Sequence, residues 1–173
     1  MSTLPVPVPV TLSKVKLTFR TQEPEPAEHT FKFTLGTSDN KNDAERLSAD
    51  FLAYLKGFGS TNVVTYQLAT DDGTLRYLSV NFDEIRSLEK NETLTTQTEF
   101  VTPDPSKVTI VKATIHWRTG PSREYKFDTV TAQQLHGNFL GFVAKKSTDT
   151  GANYTTTDDV QHAISYVDIM YIH

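Results

Sequence analysis

The sequence predicts an α+β protein made by tandem duplication of a ββαββ unit, each copy an antiparallel sheet with one helix packed on one face. Three observations predict it. Four segments recur in the same order along the chain, apolar residues within them alternate or repeat every three to four positions, and turn-forming residues separate them.

The first pair of segments is Val15-Lys-Leu-Thr-Phe-Arg-Thr21 and Ala113-Thr-Ile-His-Trp-Arg-Thr119. The second is Phe31-Lys-Phe33 with Tyr125-Lys-Phe127. In the third, Ala44, Leu47, Phe51 and Tyr54 answer to Ala132, Leu135, Phe139 and Phe142. In the fourth, Val80, Phe82, Ile85 and Leu88 answer to Ile164, Tyr166, Ile169 and Ile172. The offset between copies falls from 98 to 94 to 88 to 84, and every loss lies between segments, where loops tolerate deletion.

Each segment has a physical period. Val15, Leu17 and Phe19 alternate with Lys16, Thr18 and Arg20, as a half-buried strand requires, and Phe31, Phe33 and Leu35 do the same. Leu47, Phe51, Leu55 and Phe58 form one apolar helical stripe that a sheet must cover. Asn42-Asp-Ala-Glu45 and Thr131-Ala-Gln-Gln134 have the spacing of helix starts, and Gly57 and Gly59 mark the end of the first helix. Val64, Tyr66 and Leu68, then Leu78, Val80 and Phe82, read as a hairpin around Asp71-Asp-Gly73.

The resulting division is an extended arm at 1–13, a first repeat at 14–90, a linker at 91–107 and a second repeat at 108–173. Each repeat holds about 75 residues, a size at which a lone core is marginal, so the two are expected to support each other by edge pairing or face packing.

Composition excludes more than it selects. The chain has 173 residues, 37% of them hydrophobic and 22% charged, which is globular usage. It has no cysteine, so disulfides, thiolate metal sites and cysteine nucleophiles are out. No basic, apolar signal opens it, and no run of about 20 apolar residues offers a membrane span, so the expected location is cytoplasmic or virion. Phosphate loops, dinucleotide fingerprints, HExxH motifs and serine elbows are missing, and the expectation is a protein that is not an enzyme, with no cofactor and no metal. The five histidines, His29, His116, His136, His162 and His173, read as surface or loop residues.

Two features suggest partners. Pro5, Pro7 and Pro9 alternate with Val6, Val8 and Val10, giving a stiff extended arm suited to docking on a neighbouring protein and unable to join a central strand. Lys14, Lys16, Arg20 and Lys32 in one repeat, and Lys112, His116, Arg118 and Lys126 in the other, would lie on the sheet face away from the helix, where they could neutralise a polyanion. The net charge of -4 weighs against a generally basic nucleic-acid binder. The function expected is therefore structural or assembly, as in a phage or virion component, docking through the arm and sheet edges onto itself or an assembly neighbour. The alternative is a single-stranded nucleic-acid-binding module that uses the basic face.

Overall fold

A computed structural model describes residues 9–20, 28–34, 43–57, 65–70, 74–96 and 109–173. Strand β1 (Pro9–Phe19) and strand β2 (Glu28–Thr34) precede helix α1 (Asp43–Leu55). Strands β3 (Tyr66–Gln67) and β4 (Tyr77–Val80) follow, then a 3-10 turn at Phe82–Glu84 and strand β5 (Ile85–Thr96). The second half runs β6 (Ile110–Trp117), β7 (Arg123–Asp128), α2 (Thr129–Val143), β8 (Gly151–Thr155) and β9 (Gln161–Ser165). It ends with a 3-10 turn at Tyr166–Asp168 and strand β10 (Ile169–Ile172).

The protein is mixed α+β, with two α-helices and antiparallel sheets among the described residues. Sheet I is ordered β2-β1-β5, sheet II is β3-β4-β10-β6-β7, and β8-β9 form a separate hairpin. Sheet II therefore joins the two halves, because β10 lies between β6 of its own half and β4 of the other. Alternation sets the registers. Val15 faces Phe31, and Ala113 faces Tyr125. Leu17 faces Leu88 and Phe19 faces Ile85, while Ile115 faces Ile172 and Trp117 faces Ile169. Tyr66 faces Leu78, and Tyr154 faces His162. The loop contacts follow suit: the Ala69 N–H donates to the Lys32 carbonyl and the Thr157 N–H to the Lys126 carbonyl, both at 2.9 Å.

Two cores result. In the first, Val15, Leu17 and Phe19 pack with Leu47 and Phe51 of α1 and with Leu78, Val80 and Tyr171 of sheet II. In the second, Val111, Ala113 and Ile115 pack with Leu135 and Phe139 of α2 and with Ile164 of the hairpin. Sheet II separates them: its β6 side chains alternate between α2 and the opposite face, and on β10 Ile172 joins the second core while Tyr171 joins the first. Tyr171 stacks on Phe19 of sheet I at 4.3 Å, so edge pairing and face packing both hold the halves together.

Several expectations change. A strand follows each 3-10 turn, so among the described residues each half has five strands instead of four. Asn81 accepts from the Asp83 N–H and turns the chain there, which breaks what reads in sequence as one alternating run. β1 begins at Pro9, inside the expected arm, and β5 extends to Thr96, inside the expected linker. β1 is the middle strand of sheet I, but Pro9 and Val10 pair only with β5, the β2 ladder starting at Leu12, so the N–H that Pro9 lacks is not demanded on both sides. Residues 5–8 of the arm, Leu35, Phe58, Gly59, Val64 and the turn at 71–73 lie outside the described residues. On α1 the buried positions are Ala44, Leu47 and Phe51, with Tyr54 half-buried, whereas Leu55 in the last turn is 61% exposed. Gly57 does close that helix, at φ +79, a conformation that favours glycine. α2 starts three residues earlier than its expected capping box implies: Asp128, and not Thr131, is the N-cap, and its carboxylate accepts from the Thr131 N–H at 2.7 Å.

Candidate functional site

The junction of the two sheets gathers three histidines. His29 on β2 is opposite Leu17, so it points the same way as Phe31 and Phe33, into the first core. His116 on β6 is opposite Tyr171, on the face of sheet II turned away from α2. His173 continues the β10 ladder by exchanging two backbone hydrogen bonds with Thr114, of 2.7 and 3.0 Å, which places its side chain on the same face. Packing of Tyr171 on Phe19 then brings one ring nitrogen of each of the three histidines within 4.8 Å of the others.

The cluster is ordered by its neighbours. His116 Nε2 lies 2.7 Å from His173 Nδ1, a hydrogen bond in which one nitrogen carries the proton. His29 Nδ1 lies 2.9 Å from the Tyr171 hydroxyl. The His116 ring stacks on Tyr171 at 4.0 Å, and His29 on Phe31 at 4.3 Å. Arg76 donates to the His173 carbonyl at 3.3 Å and to the Thr114 hydroxyl at 3.0 Å, while its other arm meets Glu124 at 2.6 Å.

Burial, then the charge of Arg76, lowers the pKa of His29 below its usual 6.5. Burial, then His29 and Arg76, push His116 down to about 4, and burial, then His29, His116 and Arg76, push His173 down to about 2. All three rings are neutral at pH 7, the form in which imidazole offers a lone pair to a metal. Burial also raises the pKa of the Tyr171 phenol, which keeps its proton.

A fourth histidine is buried too. His136 on α2 is 2% exposed, with Nδ1 2.7 Å from the Ser79 hydroxyl of β4. Its Nε2 has no hydrogen-bond partner. Ser79 lies 3.2 Å from the Thr65 hydroxyl, so the low-cost arrangement has His136 Nδ1–H donating to Ser79, Ser79 donating to Thr65, and a bare lone pair at Nε2.

The residues of the two expected basic stripes divide between two sheets. Lys14, Lys16 and Lys32 lie on sheet I, whereas Lys112, His116 and Lys126 lie on sheet II. Lys16 is 3.1 Å from Glu89 and 4.0 Å from Glu28, its neighbours across the strands. Arg118 pairs with Glu84 of the first half and donates to the Val167 carbonyl at 2.8 Å. Arg20 is exposed just past the end of β1, and Lys126 is exposed on β7. Of the eight residues, His116 belongs to the histidine cluster instead. Of the arm, Pro9 and Val10 lie in β1.

All five histidines, read from the sequence as surface or loop residues, are thus buried or half-buried, and four of them lie at the contacts just described. The signal available was alternation: His116 is on the Lys112 and Thr114 face of its strand, and His29 on the Phe31 and Phe33 face. No family model, curated protein or solved structure matches the chain. Among the described residues, no helix is long and apolar enough to cross a membrane.

Proposed function

We propose that this is a non-enzymatic structural or assembly protein, built by duplication of one unit and joined to further copies of itself through open strand edges. The duplication is supported by the recurring registers. The Leu17–Leu88 pair and the Ile115–Ile172 pair occupy corresponding positions at the offsets read from the sequence, 98 and 84. The Tyr66 hydroxyl donates to Asp50 at 2.6 Å where Asn138 donates to the Tyr154 hydroxyl at 3.0 Å, again at one shared offset of 88.

The observation that carries the assembly reading is the β4–β10 pairing. β10, the last strand of the second half, adds to the β3-β4 hairpin of the first. The corresponding strands are β5 and the β8-β9 hairpin, and among the described residues β5 pairs only with β1 and β9 only with β8. A relation used once inside the chain is thus left open at both ends. Repeated between chains, with β5 of one molecule added to β9 of the next, it is a head-to-tail contact that generates a ring or a filament. The register carries over as well. Tyr171 beside Val80 and Ile172 beside Ser79 become Ser87 beside Ile164 and Leu88 beside Ala163.

A chain without cysteine allows a clean test. Leu88→Cys and Ala163→Cys in one chain should give a ladder of disulfide-linked species under oxidation, and the two single variants mixed should give heterodimers. A chain that light scattering finds monomeric at its highest soluble concentration, or that forms the bond only within itself, refutes the proposal. The alternative of a polyanion-binding surface has less support, because its residues divide between two sheets and Lys16 and Arg118 already face carboxylates.

A further inference from the structure

We propose that His29, His116 and His173 form a transition-metal site of the zinc class that clasps sheet I to sheet II. The inference does not depend on the assembly reading, since it concerns side chains of one chain.

The donor set comes first. Three imidazoles and no carboxylate make up the cluster, and nitrogen donors of this kind suit Zn²⁺, Cu²⁺ or Ni²⁺ and not Mg²⁺ or Ca²⁺. Around a tetrahedral zinc with Zn–N bonds of about 2.0–2.1 Å, ligand nitrogens stand roughly 3.3–3.4 Å apart. The three nitrogens here, within 4.8 Å of one another, reach that spacing by side-chain rotation of about an ångström. His116 Nε2 and His173 Nδ1, 2.7 Å apart, already aim at one point and share one proton. A metal ion takes the place of that proton, which moves to the other nitrogen of the ring that held it, and bonds to both facing nitrogens.

The surroundings fit the same purpose. Stacking holds the His116 ring on Tyr171 and the His29 ring on Phe31, so the donors are restrained before any ion arrives. The Tyr171 hydroxyl at 2.9 Å from His29 Nδ1 supplies the polar contact that metal-bound histidines take from their neighbours. Arg76, the nearest cation, is paired with Glu124, which offsets its repulsion of an incoming ion. Three protein ligands leave a fourth position for water or for a group from a partner.

The three ligands belong to β2, β6 and the residue after β10, so the ion would tie two sheets and two halves of the chain. Binding therefore stabilises the folded form by mass action.

The test uses the untagged full chain, stripped with chelator and titrated with Co²⁺ and then Zn²⁺. One equivalent of Co²⁺ should give the visible absorption of a low-coordinate nitrogen site, and Zn²⁺ should abolish it. Zn²⁺ should also raise the melting temperature by roughly 5 °C or more at a hundredfold excess over the dissociation constant. His116→Gln should weaken binding at least about 100-fold, whereas His162→Gln, which alters a histidine outside the cluster, should leave it unchanged. The wild-type measurement stands even if His116→Gln fails to fold. A folded wild-type chain with no cobalt spectrum and no zinc shift overturns the proposal, and so does loss of binding in His162→Gln.

Discussion

Acid should destabilise this protein through His136 in a way that one substitution removes. The ring sits at the interface of α2 and β4, 2% exposed, with the Tyr77 ring set edge-on at 5.7 Å between centroids and a single hydrogen bond to Ser79. Burial pushes its pKa down to about 3. In the unfolded chain the same ring takes up its proton near the usual 6.5. Between those values the unfolded state binds more protons, so stability is full above about pH 6.5 and is lost as the pH falls towards 3. One such group costs about 1.4 kcal/mol at pH 5.5 and about 2.7 kcal/mol at pH 4.5. His136→Leu keeps the apolar packing and removes the titration, and Ser79 retains Thr65. Urea denaturation of both proteins at pH 7.5, 5.5 and 4.5 isolates the difference, because His29, His116 and His173 remain in both. The variant should gain on the wild type by those amounts as the pH falls. Profiles that stay parallel within about 0.5 kcal/mol refute the account, and would mean that His136 takes up its proton in the folded state with little penalty.

Two further substitutions probe the cores. Leu47→Ala and Leu135→Ala each remove a side chain that is 0% exposed beneath a helix, and each should cost about 2–5 kcal/mol in urea denaturation; Leu55→Ala, on an exposed turn, should cost far less. Tyr66→Phe deletes the hydroxyl that donates to Asp50 at 2.6 Å and should cost about 1–3 kcal/mol, measured the same way. Asn138→Ala, which removes the donor to Tyr154 at the matching position, should cost less, because the Tyr154 and Tyr166 hydroxyls still bond to each other.

Sequence reading reached the strands whose two faces differ and missed what depends on contacts between distant elements. Val15, Leu17 and Phe19 alternate with polar residues because one face of β1 is core, and all three are 0% exposed. β5 offers no such contrast. From Glu89 to Glu92 it is Glu-Lys-Asn-Glu, all exposed, so the end of the strand reads as linker. The 3-10 turns were hidden for a different reason: Val80 and Phe82, two positions apart, are both buried, so Phe82 reads as the next residue of an alternating strand although it opens the turn. The histidine cluster was out of reach altogether. Residues 29, 116 and 173 meet only because β10 pairs with both β4 and β6 and then packs on sheet I, and no local period encodes that step.

The cluster also bears on how the two halves differ. At the offsets that align the halves, His116 corresponds to Thr18, His173 to Glu89 and His29 to Arg123. None of those counterparts is a histidine, and Glu89 faces Lys16 across β1 while Arg123 lies on the other half's β7. If one unit was copied, the three imidazoles were therefore not inherited as a set from it. They stand at the seam, where Tyr171 of one half enters the core of the other, a place that a single unit does not possess. The counterpart of Tyr171 is Ser87, too small to make the same stack. A second chain added at β5 would thus meet a smaller side chain than β4 meets at β10, and would gain less apolar burial from it. On this reasoning the proposed contact between chains would be weaker than the one within the chain, and dilution should separate molecules while leaving the intramolecular β4–β10 seam intact.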